Sequence, residues 1–201
     1  MNKRFLLLFC LSAISFGAHT EAEDRPRSVD AEALDISGVK LGMDAAEAVK
    51  ALCTARNIDS SAIQFDQFPS VNPITPAKEP RYFKAKLGLG EIVVHLTPKV
   101  PYDKSTPMRV SMVIYEMPWT PDNVKAMKVS AIEKYGQPSN GTVGVTYQWC
   151  KNPDKNPGLG CPKTQGAILE FSGTKIQLHD PVYQNAVTQF MQKSQSGRPA
   201  F

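Results

Sequence analysis

The residues of this chain best able to do chemistry are its cysteines and histidines, and beyond residue 22 only Cys53, Cys150, Cys161, His95 and His179 remain. A hydrolytic nucleophile needs a base within hydrogen-bond reach. Neither histidine stands in a pattern that supplies one. There is no Gly-x-Ser-x-Gly elbow, no His-Glu-x-x-His pair, no Walker loop and no dinucleotide fingerprint. His179-Asp180 reads either as an oriented base or as a strand end followed by a helix cap, and Asp is a preferred cap. His95 shares the polar side of an alternating segment with Glu91 and is expected at the surface. Carboxylates such as Asp66 and Glu91 could pair only if the fold juxtaposes them. The sequence therefore assigns no catalytic residue, no metal ligand set and no cofactor, and the chain is not expected to be an enzyme. The enzyme alternative requires a polar cleft around His95 or His179.

Cys150 and Cys161 flank a segment rich in turn formers, with Asn152, Pro153, Asp154, Asn156, Pro157, Gly158 and Gly160. This arrangement suits a disulfide closing a long hairpin. Restricting the unfolded chain over so short a loop contributes about 2–3 kcal/mol. A zinc site would need two-to-four-residue cysteine spacing and histidines nearby, and has neither. Cys53 is left over, on the apolar side of an expected helix, as a buried thiol.

The oxidising compartment that such a disulfide implies agrees with the N-terminus. Lys3 and Arg4 precede an apolar run over residues 5–16, too short to span a bilayer but suited to a secretory signal. Cleavage is expected after Ala22, giving a periplasmic protein with no stable membrane anchor. Cys10 lies within the run without small residues before it, which argues against lipid attachment. The whole chain of 201 residues carries 23 Lys and Arg against 19 Asp and Glu, a net +4 that falls by one without residues 1–22. The charge is dispersed, with no basic run, so nucleic acid is not an expected partner.

Residues 23–34 read as a flexible lead-in, 35–195 as a single α+β domain and 196–201 as a polar tail. A short strand over 36–41 should run into Gly42-Met43-Asp44, where Asp44 and Glu47 form a capping box for a helix over 45–56, with Ala46, Val49, Leu52 and Cys53 on its buried stripe. Alternating segments at 62–68, 81–87, 91–97 and 108–117 then predict an antiparallel meander. Two connections in it, 69–80 with four prolines and 98–107 with three, are too proline-dense for central strands. Thr120 as cap, Pro121 at the first position and Gly136-Gln137-Pro138 as stop frame a second helix, with Val124, Met127, Ala131, Ile132 and Tyr135 on one face. Strands at 142–150, 167–171 and 174–179 follow. Asp180-Pro181 opens a third helix that should bury Val182, Ala186, Val187, Phe190 and Met191. The expected architecture is antiparallel sheet with about three helices on one face, built as two similar helix-plus-meander units. Asn140-Gly141-Thr142, formally a glycosylation acceptor, reads as a turn before the second meander.

The run Gly42-Met43-Asp44-Ala45-Ala46-Glu47-Ala48-Val49 resembles the Gly-Met-x-x-x-x-x-Val helix start of small bacterial envelope proteins, a group that includes the outer-membrane assembly lipoproteins and the β-lactamase-inhibitor proteins. Tyr135-Gly136-Gln137-Pro138, with Tyr147 and Trp149 on the next strand, resembles the matching helix stop. The likeness covers about 40 residues. It departs in lacking a lipid cysteine, in splitting start and stop between two helices and in its long proline loops. What the resemblance implies is a helix-on-sheet domain that binds protein.

Exposed apolar residues in connections agree with a binding role: Val71 and Ile74 in the first proline loop, Val100 and Tyr102 in the second, and Trp119 just before the second helix. Proline lowers the entropy lost when a loop is ordered against a partner, and Tyr and Trp are common anchors. Trp149, inside an alternating strand, is expected in the core. The function expected is a protein-binding module of the envelope, such as an inhibitor or immunity protein for a toxic or lytic enzyme. The alternatives are an envelope assembly accessory, a small-ligand carrier and an unrecognised enzyme.

Overall fold

The computed structural model describes residues 27–69, 71, 74, 77–156 and 158–195. The expected signal segment, cleavage site and polar tail lie outside the described residues. Helices α1 (Ala45–Arg56), α2 (Pro121–Tyr135) and α3 (Pro181–Gln195) accompany strands β1 (Gln64–Phe65), β2 (Tyr82–Leu87), β3 (Gly90–Pro98), β4 (Met108–Glu116), β5 (Tyr147–Cys150), β6 (Ile168–Ser172) and β7 (Lys175–His179). The strands form one antiparallel sheet in the order β1-β2-β3-β4-β7-β6-β5, so the α+β class holds. The two meanders, each preceded by a helix, join through their last strands. Because β4 and β7 pair antiparallel, the two units lie side by side in one sheet, and α1 and α2 contribute to the same core.

Period-two alternation dictates which residues that face buries. One transverse row, Phe83–Val94–Val113–Leu178–Leu169–Trp149, crosses six strands with each residue opposite the next, and all six are fully buried. Ala48 and Leu52 of α1 and Met127, Ala131 and Tyr135 of α2 complete this core. The α1 stripe is turned from the expected one: Ala46 is exposed, Val49 and Cys53 are half-buried, and Ala48 takes the central place. The Asp44–Glu47 capping box forms as expected. In α2, Thr120 accepts from the Asn123 amide at 3.1 Å and Pro121 takes the first helical position. Trp149 donates its indole N–H to the Gly136 carbonyl at 3.0 Å and packs 5.8 Å from the Tyr135 ring.

Three expectations are corrected. Residues 36–41 make a tight turn bridged between Ile36 and Val39, because Ser37 and Gly38 adopt left-handed φ values of 55° and 83°. Residues 27–34 are not a loose lead-in. Val29 donates to the Cys150 carbonyl at 2.8 Å, Arg27 to the Gln137 carbonyl at 2.7 Å, and Ala31 is buried, so this stretch covers the edge of β5. Finally, α3 lies on the face opposite α1 and α2. Tyr183 donates to the Pro98 carbonyl at 2.8 Å and stacks 3.8 Å beneath the Arg109 guanidinium, and Val187 is buried over the strands. Its inward side is therefore Tyr183, Val187 and Met191, whereas Val182 and Ala186 are exposed and Phe190 is 39% exposed.

Candidate functional site

Both proline loops leave the sheet at the same end, because β2 begins where β3 finishes and β4 starts. Each loop is braced from within. In the first, the buried Asp66 carboxylate accepts the Arg81 guanidinium at 2.8 Å and the Phe68 amide at 3.0 Å, closing the base of the loop. The Arg81 hydrogen bond, with the backbone amides, holds this carboxyl below the usual carboxylate range despite its burial. Farther out, Val71 pairs with Lys78 across the tip. In the second loop Asp103 is the organiser, accepting the Ser105 hydroxyl at 2.6 Å, the Ser105 amide at 2.9 Å and the Thr106 hydroxyl at 2.8 Å. These hydrogen bonds, the Ser105 hydroxyl foremost, hold its carboxyl far below the ordinary range. Lys99 donates its amide to the Pro107 carbonyl at 2.8 Å and pairs with Asp103 at 3.8 Å.

The two loops meet. Glu79 and Pro80 of the first, Ser105, Thr106 and Pro107 of the second and Asp44 at the start of α1 line a cleft of about 210 Å³. Elsewhere in the two loops, Val71 is 60% and Tyr102 38% exposed, whereas Ile74 and Val100 are half-buried. Four of the five anticipated contact residues thus stand at one end of the molecule. Trp119 does not. It is 73% exposed at the opposite end, where the β2–β3 turn presents Leu89 at 75% and the α2–β5 loop presents Val143 at 90%.

A second cleft of about 360 Å³ lies between the sheet and α3, with His95, Thr97, Ser111, Met112, Gln184 and Met191 in its lining. His95 is therefore half-buried beneath α3, not a surface residue, since α3 takes the face that was expected to be open. Burial holds the His95 imidazole below its ordinary pKa, and burial likewise lowers His179, against the opposing pull of nearby Glu170. The Ser111 hydroxyl lies 2.5 Å from the Thr97 hydroxyl and faces the His95 carbonyl, not its imidazole. Asp180 accepts from the Tyr183 amide at 3.0 Å, which makes His179-Asp180 a strand end and helix cap.

Cys150 and Cys161 are joined as expected, with Cα atoms 6.1 Å apart, and Cys53 is free and half-buried. The loop they close is pinned by Asn140, a role that spacing alone did not signal. Its side-chain amide donates to the carbonyls of Asp154 and Asn156 at 2.9 and 3.2 Å and accepts from Gly141 and Gly158 at 2.6 and 3.0 Å. A sugar on that nitrogen would take one of its two N–H donors and remove one of these bonds, so the turn reading of Asn140-Gly141 fits the geometry.

Comparison with known protein families, with curated proteins and with solved structures returned no match. No described helix is long and apolar enough to cross a membrane, and the described residues hold no cluster of three or more His, Cys, Asp and Glu suited to a metal ion.

Proposed function

We propose that this chain is an exported, periplasmic protein-binding module, of the inhibitor or immunity kind, whose contact surface is the loop end of the sheet. The observation that carries the reading is the pairing of exposed apolar groups with internally braced loops. Val71 and Tyr102 project from connections that Asp66–Arg81 and Asp103 already hold in shape. Order present before binding lowers the conformational entropy lost on association. The cleft between the loops offers a depression for one partner side chain, in the manner of a hot-spot pocket.

A second reading, an envelope assembly accessory with more than one partner, draws support from Trp119, Leu89 and Val143 at the far end. Affinity capture from periplasmic extract, with the tagged chain as bait, separates the two. The inhibitor-like reading expects one stoichiometric protein that is lost on Val71→Ala plus Tyr102→Ala and retained on Trp119→Ala. The accessory reading expects several weaker partners and losses on Trp119→Ala. Capture of nothing by the wild-type chain would count against both.

A further inference from the structure

The cleft between the sheet and α3 gathers polar side chains that the fold itself leaves unused. Glu79 and Arg81, where the first proline loop rejoins the sheet, His95 on β3 and Gln184 on α3 all stand in its lining. Among the described residues, the Glu79 carboxylate, the His95 imidazole and the Gln184 side-chain amide make no hydrogen bond or ion pair. The Arg81 side chain is engaged only through Nε, which donates to Asp66 at 2.8 Å, and so presents both terminal NH2 groups. Polar groups withdrawn from bulk water are met by protein, by ordered water or by a ligand. Exposure orders the cleft from outside to inside. The Arg81 side chain, 56% exposed, stands at its mouth, whereas Val187 is buried and Met112 and Met191 are half-buried. Gln184, Val187 and Met191 follow at spacings of three and four on α3, a stripe about 10 Å long. The charges are equally specific. Arg81 is balanced by the buried Asp66, but Glu79 has no counter-ion among the described residues. A plain carboxylic acid would be repelled by Glu79, and a plain amine would leave the Arg81 terminal groups unmatched.

We propose that this cleft binds a small zwitterion with an apolar side chain, of the α-amino acid class. The ligand carboxylate pairs with the terminal NH2 groups of Arg81, whose planar fork matches it. Its ammonium pairs with Glu79, and His95 and Gln184 supply neutral hydrogen-bond partners. Its apolar chain lies against Met112, Val187 and Met191, where unbranched thioethers adapt to more than one shape. A volume of about 360 Å³ stands near the small end of ligand sites and suits a molecule of amino-acid size. This site goes beyond the protein contact at the loop end and does not depend on it.

The probes are L-leucine, isocaproate, which is leucine without its ammonium, and isoamylamine, which is leucine without its carboxylate. Each is titrated into the exhaustively dialysed full chain by calorimetry and by the methionine methyl resonances. L-Leucine is expected to saturate a single site and to shift the Met112 and Met191 methyls, while Met117, at the far end of β4, stays in place. Isocaproate and isoamylamine should each bind about tenfold or more weakly, having lost a charged hydrogen-bonding group. Glu79→Gln should weaken L-leucine by a similar factor without weakening isocaproate, a split that a merely structural role would not produce. The other methionine methyls report in the same spectra that the variant is folded. No Met112 or Met191 shift with L-leucine, L-methionine or L-phenylalanine would overturn the proposal. So would isocaproate binding as tightly as L-leucine, or an unchanged L-leucine affinity in Glu79→Gln.

Discussion

Among single residues, Asn140 shows how a side chain in a turn can carry a whole loop. Its amide makes four hydrogen bonds, three of which tie the start of the second meander to the disulfide loop. Replacing it with Ala leaves the Asp154 and Asn156 carbonyls without these partners, and a loss of about 1–3 kcal/mol in chemical denaturation is expected. Asp35 is a second residue whose role is electrostatic. Burial disfavours its charge, but the Lys134 ammonium at 2.8 Å and the Gly38 amide outweigh that and hold the carboxyl below its ordinary range. A carboxyl whose folded pKa lies below its unfolded value of about 3.9 contributes stability above that pH and loses it as the pH falls through the folded value. Thermal midpoints below about pH 4 should therefore fall less steeply in Asp35→Asn than in the wild-type chain; parallel slopes would remove Asp35 from the account.

For whole elements, what the sequence made legible followed from how local the determinants are. Helix α2 was readable because cap, first-position proline and terminal glycine all lie within its own span, and the α1 capping box for the same reason. The strand expected over 142–150 shrank to Tyr147–Cys150, because Gly141 turns the chain at φ 132° in close contact with the Thr146 carbonyl. Helix α3 kept its expected start at Pro181 but not its buried side, since its periodicity does not say which face of a sheet it will meet. The disulfide loop is an element whose closure was readable from Cys150 and Cys161 alone. Replacing both with Ser is expected to cost about 2–3 kcal/mol, measured as a shift in denaturation midpoint with unchanged slope. A negligible shift would mean that the hydrogen bonds of Asn140 and its neighbours hold the loop without the disulfide.

For the molecule as a whole, the seam between β4 and β7 makes two helix-plus-meander units into one sheet. Leu178 sits in that seam opposite Val113 and Leu169 and is fully buried. Leu178→Ala should cost about 2–5 kcal/mol while keeping a single unfolding transition; two separated transitions would show the units to be independent. The cleft beneath α3 was illegible for a related reason, as it joins the first proline loop, β3 and β4 to a helix that follows every strand in the sequence, and only the packing of α3 reveals it. The proline loops were legible as connections, yet their convergence at one end, with Trp119 at the other, is a property of topology. The central claim, that the loop end binds a protein partner, is tested most directly by photo-crosslinking in intact cells. A photoreactive amino acid is placed at position 102 in one chain and at position 119 in another. A discrete crosslinked protein from position 102, absent from position 119, is the predicted result. No adduct from position 102, with a discrete one from position 119, would contradict it.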